Sequence, residues 1–266
     1  MKLKVLLASI LTMAVLLGGC ASNSNSSAKS SDKKDVVKVG TEGAYAPFTF
    51  KNSKGELDGY DVEAVREIAK RAKIDVEFVT APWDSMFLGL ESKKFDMVAN
   101  QIAKNKEREE KYIFSDYYLV SAAQVIVVED RNDINSIEDL KGKKVGSGTG
   151  SNYTKKLIDF NNQNKDKKID IKYYEGNFGI ILDDVVSKRI DATFNDRLSV
   201  AYNVKQNGVK VKLVGEPIDI EPSYFVFRPE SKELQKKVDE ALKSMKADGT
   251  LAELSKKWFD ADYTKK

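Results

Sequence analysis

Short apolar runs alternate with amphipathic stretches along most of this chain, and that alternation limits the folds open to it. Residues 122–128 form a β-branched run of the length of one buried strand. Residues 62–72 instead place Val62, Val65, Ile68 and Ala69 on one helical stripe. Strands that alternate with helices are typical of α/β proteins whose sheets are mainly parallel. We therefore expect an α/β fold.

The same patterns predict where most elements lie. Strands are predicted at residues 36–40, 74–79, 96–99, 122–128, 144–148, 169–174, 190–194 and 224–228. Helices are predicted at residues 62–72, 83–90, 137–140, 153–160 and 181–187, and over most of 232–259. Two apolar segments, near residues 122–128 and 218–227, bracket the middle of the chain. We expect residues 121–220 to form one lobe, and residues 36–120 with 221–266 to form the other.

The N-terminus has the pattern of a secretory signal. Lys2 and Lys4 precede an apolar run, and small residues follow just before Cys20, the only cysteine. The run is too short to cross a bilayer as a helix. Residues 1–19 are therefore predicted to be a signal peptide, and residues 20–35, rich in Ser, Asn and Lys, a flexible tether.

The position of Cys20 resembles the bacterial lipobox, in which the thiol is acylated and becomes the new N-terminus. The resemblance implies a domain anchored by lipid to the cell membrane on its extracytoplasmic face. The alternative is an ordinary signal peptide that leaves Cys20 unmodified.

Composition excludes several classes of function. Without residues 1–19 the chain keeps 42 bases against 41 acids, a formal charge of +1, so nucleic acid is not an expected partner. The sequence has no histidine, and no free thiol once Cys20 is lipidated. Sites for zinc or haem therefore lack their usual ligands, and catalysis lacks a cysteine nucleophile and a histidine base. We expect no cofactor, no metal and no catalysis.

Two charged residues near predicted strand ends suit a small zwitterion. Arg108 follows the strand at 96–99 after a polar loop, and its planar guanidinium matches a carboxylate. Asp196 follows the strand at 190–194, where carboxylates often face a ligand crevice. Each has a plain alternative: Arg108 as a surface residue, and Asp196 as the N-cap of a helix starting near Leu198.

Loop residues add to this candidate site. Residues 146–152, between a strand and a helix, are rich in Gly and Ser, so their backbone N–H groups could bind an anion. The alternative is a plain turn capped by Ser151 or Asn152. The segment lacks the ending of a nucleotide-binding P-loop. Tyr45 and Trp83 lie beside prolines at loop junctions, where rings line clefts, whereas Phe48 and Phe50 suit the core.

Together these residues resemble the family-three extracellular solute-binding proteins of amino-acid ABC importers. Residues 59–69, GYDVEAVREIA, look like the family's signature, with Ala64 smaller than the usual aliphatic residue. The resemblance runs from about residue 36 to 265. It implies a monomer of the type II periplasmic-binding-protein fold: two lobes, each a mixed, mostly parallel sheet flanked by helices, joined by two crossing hinge segments. The protein would close on an amino acid and deliver it to a membrane permease.

The resemblance also implies roles for single residues. Arg108 would clamp the ligand carboxylate, Asp196 would hold its ammonium, and Tyr45 and Trp83 would pack around its side chain. Backbone donors would come from Gly150, Ser151 and Asn152. Ala103 stands where the family commonly has a Ser or Thr hydroxyl, so only its backbone N–H remains.

Residues 99–102, 145–153 and 257–262 look most like cystine-binding members of the family, and they include Gln101 as a further ligand candidate. Cystine is a doubled zwitterion, so a second polar end is needed, for which Glu42 and Asn100 are candidates. A chain without thiols cannot exchange with the ligand disulfide. Glutamine or another polar amino acid stays open as the ligand. The alternatives in function are an enzyme of the same fold, such as a dehydratase, and a surface adhesin.

Overall fold

The computed structural model describes residues 36–265. The predicted signal peptide, Cys20 and the tether lie outside the described residues. Over the part that is described, no helix is long and apolar enough to cross a membrane.

Twelve strands and eight α-helices make up residues 36–265, with two short 3-10 turns at Trp83–Ser85 and Glu138–Leu140. The strands are β1 (Val36–Thr41), β2 (Ala44–Tyr45), β3 (Thr49–Lys51), β4 (Leu57–Asp58), β5 (Asp75–Thr80), β6 (Met97–Ala103), β7 (Ile113–Phe114), β8 (Leu119–Val128), β9 (Lys144–Gly148), β10 (Asp170–Tyr174), β11 (Ala192–Asp196) and β12 (Val211–Phe227). The helices are α1 (Tyr60–Ala72), α2 (Met86–Glu91), α3 (Lys106–Lys111), α4 (Asn152–Gln163), α5 (Phe178–Val186), α6 (Arg197–Asn207), α7 (Lys232–Ala247) and α8 (Thr250–Phe259).

The main sheet has parallel strands at both ends and antiparallel strands in the middle. Its strand order is β10-β9-β11-β8-β12-β6-β1-β5, with β7 beside β12. The triplets β5-β1-β6 and β10-β9-β11 are parallel, whereas β8 and β12 pair antiparallel with each other and with their neighbours. A mixed sheet flanked by helices confirms the predicted α/β class.

β12 and α3 are instructive differences from the sequence pattern. The strand predicted at 224–228 is the end of β12, which begins at Val211. Charged residues, Gly215 and two prolines hide its first part from an apolar pattern, but pairing with β8 holds it in place. α3 was not among the predicted helices, because its six residues are all charged and offer no apolar stripe. Asn105 caps this helix by accepting a hydrogen bond from the Arg108 N–H, which satisfies one otherwise unpaired donor.

A tight backbone junction fixes α1 against the loop after β1. The N–H groups of Tyr60 and Asp61 donate to the carbonyls of Pro47 and Phe48 at 2.9 Å. Gly59 precedes them with φ at +126°, and a Cβ there would lie 2.3 Å from the Phe48 oxygen. Only glycine fits this position, so the signature glycine secures the loop that carries Tyr45.

Candidate functional site

A cavity opens where the ends of β1, β6, β9 and β11 meet β12. Its empty space, counted out to the open mouth, is about 610 Å³. Its lining comprises Glu42, Tyr45, Trp83, Asn100, Gln101, Ala103, Arg108, Gly148, Ser151, Asn152, Tyr153, Gly176, Phe178, Ile181, Asn195 and Glu221.

Nine of the eleven ligand-site residues predicted from sequence belong to this lining: Glu42, Tyr45, Trp83, Asn100, Gln101, Ala103, Arg108, Ser151 and Asn152. The structure places Gly150 and Asp196 outside it. The Gly150 carbonyl instead accepts a hydrogen bond from Arg108 Nη2 at 3.2 Å.

Asp196 lies behind the cavity wall and caps α6. Its Oδ1 accepts hydrogen bonds from the N–H groups of Leu198 and Ser199, at 2.8 and 3.3 Å. Its Oδ2 accepts one from Gln101 Nε2 at 2.9 Å. Burial raises the pKa of Asp196 to about 6, against the opposing effect of these bonds. Gln101 therefore stands between this carboxylate and the cavity.

Arg108 is held in one orientation at the cavity wall. Its Nη1 donates to the Ala103 carbonyl at 2.9 Å, and its guanidinium lies 4.8 Å from the ring centre of Phe87 and 5.5 Å from that of Trp83. Only 6% of the residue is exposed. Burial lowers the pKa of Arg108 to about 10, so the group is still a cation at neutral pH. A fixed, poorly hydrated guanidinium suits a carboxylate.

Glu42 supplies an acid to the same cavity. Its backbone N–H donates to Asn100 Oδ1 at 2.8 Å, and Asn100 Nδ2 donates to Glu42 Oε2 at 3.4 Å. Oε1 is buried and has no hydrogen-bond partner among the described residues. Burial raises the pKa of Glu42 to about 7, which the Asn100 bond partly opposes. A buried carboxylate oxygen without a partner is a costly arrangement that a cationic group would relieve.

Direct hydrogen bonds cross the cavity rim between residues far apart in sequence. Tyr45 Oη donates to Asn195 Oδ1 at 2.8 Å, and Trp83 Nε1 donates to the Thr149 carbonyl at 3.1 Å. At the rim near α3 and α4, Asn105 Nδ2 donates to Asn152 Oδ1 at 2.7 Å. These bonds connect residues 36–120 with residues 121–220 around the cavity.

Seven lining residues were not among the predicted ligand contacts: Gly148, Tyr153, Gly176, Phe178, Ile181, Asn195 and Glu221. Gly148 lies within the anion-binding segment predicted at 146–152, and Tyr153 and Asn195 adjoin predicted site residues, which was the available signal. Phe178 and Ile181 read as the apolar face of α5. No local pattern marks Glu221, which reaches the cavity only because β12 crosses beneath it. Among residues 36–265 no cluster of three or more acidic, His or Cys side chains could hold a metal ion.

Comparison with known proteins finds a matching family model and similar sequences. Residues 37–261 match the family model of bacterial extracellular solute-binding proteins, family 3. The L-cystine-binding protein TcyA of Bacillus subtilis (strain 168) is 43% identical over 267 residues, which cover 97% of this chain and 96% of that protein.

Two solved structures have similar folds. A putative L-cystine ABC transporter protein from Listeria monocytogenes superposes with a TM-score of 0.80 at 36% identity, over 86% of this chain and 98% of that one. An ancestral arginine-binding protein bound to arginine superposes with a TM-score of 0.79 at 35% identity, over 84% and 98% of the two chains.

Proposed function

The chain belongs to the bacterial extracellular solute-binding proteins of family 3, and we propose that it captures L-cystine and delivers it to the permease of an ABC importer. One observation carries the choice of ligand. The cavity combines a fixed guanidinium, Arg108, with a half-buried acid, Glu42, whose buried Oε1 has no hydrogen-bond partner among residues 36–265. A ligand with charges at both ends suits this pair, and the similarity to the cystine-binding protein TcyA supports cystine.

The first zwitterionic end of cystine would lie between Arg108 and α4. Arg108 takes its carboxylate, helped by the backbone N–H groups of Ala103 and of Gly150 and Asn152 at the start of α4. Asp196 takes its ammonium when the Gln101 amide leaves the Asp196 carboxylate. Gln101 Nε2 donates to Asp196 Oδ2 at 2.9 Å, and this is the hydrogen bond that the ligand ammonium would replace.

The second end would lie against Glu42 and Asn100. The Glu42 carboxylate takes the second ammonium, and the Asn100 amide, hydrogen-bonded to Glu42, orients it. Tyr45 and Trp83 pack against the apolar stem and the disulfide of the ligand. An arginine ligand would bring its own guanidinium to Glu42 instead, so arginine and glutamine are the comparison ligands in any test.

Capture would proceed by hinge closure. Residues 36–120 and 221–266 form one lobe and residues 121–220 the other, with β8 and β12 as the crossing segments. A ligand that touches Arg108 and Glu42 in the first lobe and Ser151 and Asn152 in the second favours the closed state, because only that state offers both sets of contacts.

A thermal-shift screen over L-cystine, L-arginine, L-glutamine and the other amino acids tests the ligand. Cystine is expected to raise the melting temperature most, and mass spectrometry is expected to recover it unchanged. Chemical turnover would favour the alternative of an enzyme. If no amino acid raised the melting temperature, an adhesin would become the better reading.

We also propose that Cys20 carries a lipid anchor and that residues 20–35 act as its tether. The charged start, the short apolar run and the small residues before Cys20 support this. In bacteria that grow with radiolabelled palmitate, the wild-type chain is expected to take up label and to sediment with membranes. The Cys20→Ser chain is expected to do neither, and a labelled Cys20→Ser chain would refute the anchor.

A further inference from the structure

A second acid, Glu221, belongs to the cavity lining, and the proposed contacts with the ligand leave it unused. It lies on β12, and only 18% of its side chain is exposed. Burial lowers the pKa of Arg108, and the charge of Glu221 is the largest effect that opposes this. Arg108 and Glu221 both line this cavity, so a ligand carboxylate bound at Arg108 lies in the field of Glu221 as well. An unneutralised Glu221 would repel the carboxylate that Arg108 attracts.

Lys156 on α4 supplies the neutralising charge. Its Nζ lies 3.0 Å from Glu221 Oε1 and also contacts Asp219 Oδ2, with 21% of the lysine side chain exposed. Burial alone would lower the pKa of Lys156, but its bonds with both acids raise the value above the ordinary one. Lys156 is thus a half-buried cation committed to two acids of β12.

The backbone of β12 is irregular where Lys156 contacts it. Asp219 has φ at +52°, which is uncommon for a residue other than glycine, and the pairing of β12 with β8 shifts register on both sides of Ile218. Lys156 binds to this irregular stretch from one turn beyond Asn152 and Tyr153, which line the cavity.

We infer that Lys156 and Glu221 form a specificity-determining pair, in which Lys156 is a positioning residue that cancels the charge of Glu221 and so lets the cavity accept a ligand carboxylate. The inference rests on the proposed function. Without Lys156, Glu221 faces the ligand carboxylate as an unpaired anion, whereas glutamine at position 221 removes the repulsion and needs no lysine.

Calorimetry with L-cystine on the full extracytoplasmic chain tests the pair. Lys156→Met is expected to weaken binding by about tenfold or more, because it leaves a partly buried acid unpaired. The double variant Lys156→Met with Glu221→Gln is expected to regain affinity to within about threefold of wild type. Lys156→Arg should keep wild-type affinity. Lys155→Met is the matched control, because Lys155 is 59% exposed and its ion pair, as far as residues 36–265 show, is with Asp159 on its own helix.

A second readout separates charge from general damage. L-cystine bis-amide lacks both carboxylates, so Lys156→Met is expected to reduce the preference for cystine over the bis-amide about tenfold, which a merely loosened fold would not do. Wild-type affinity in Lys156→Met, or a double variant no better than Lys156→Met, would overturn the inference. If Lys156→Met does not fold, Glu221→Gln decides: affinity at or above wild type supports the pair, and a tenfold loss refutes it. Wild-type protein that binds no amino acid refutes the proposed function, and the inference with it.

Discussion

Charged side chains with little exposure set the chemistry of the cavity at the scale of single residues. Arg108→Ala is expected to cost about 2–5 kcal/mol of cystine binding, because it removes one partner of a desolvated charge pair. Tyr45→Phe loses only the hydroxyl that donates to Asn195, about 0.5–1.5 kcal/mol. Isothermal titration calorimetry on both variants measures the difference, with circular dichroism as the check on folding. Equal affinity for cystine in wild type and Arg108→Ala would remove the carboxylate clamp.

Glu42 makes stability depend on pH. Its pKa rises from 4.5 to about 7 on folding, so between these values the folded chain binds the proton that the unfolded chain has released. The contribution of Glu42 to the free energy of unfolding therefore falls as pH rises through this window, and the full cost is present above about pH 7. Glu42→Gln should have the same melting temperature as the wild type at pH 4 and a higher melting temperature at pH 8.

Burial raises the pKa of Asp61 and Asp196 as well, to about 7 and about 6. The wild type and Glu42→Gln therefore both lose some stability over the same pH range. The difference between wild type and Glu42→Gln isolates the share of Glu42. Parallel melting curves from pH 4 to pH 8 would show that the carboxyl keeps its ordinary pKa.

At the scale of elements, the junction between α1 and the loop after β1 depends on one glycine. Gly55 and Gly59 both have positive φ, but a Cβ at Gly55 meets open space and one at Gly59 meets the backbone of Phe48. Gly55→Ala is expected to cost about 1–2 kcal/mol of stability. Gly59→Ala should cost at least twice as much, because the backbone of Phe48 must move as well. Urea unfolding of both variants measures this, and equal midpoints would mean that the junction adapts freely.

Closure is a property of the whole molecule, since the cavity wall combines residues 36–120 with residues 121–220. Saturating cystine is expected to lower the radius of gyration in small-angle X-ray scattering. At one hundred times its dissociation constant it should add about 2.7 kcal/mol to the free energy of unfolding. Arg108→Ala, weakened about 30-fold or more, should gain less than about 1 kcal/mol at the same cystine concentration and should show a smaller change in the radius of gyration. A radius of gyration that is unchanged in ligand-saturated wild type would refute closure on binding.

The amino-acid sequence by itself determined the α/β class and the position of strands such as β9 and β11, and together with the family resemblance it indicated nine of the sixteen residues that line the cavity. The class and the strands follow from local apolar patterns and from turn residues at strand ends, which act over a few neighbouring positions, whereas Glu42, Asn100 and Ala103 were indicated by the resemblance alone. Tertiary structure alone decided the rest. β12 extends over polar sequence because β8 pairs with it, and Asp196 lies behind Gln101 because residues 95 positions apart meet. Glu221 joins the cavity for the same physical reason: long-range pairing, not local pattern, fixes where a polar side chain lies.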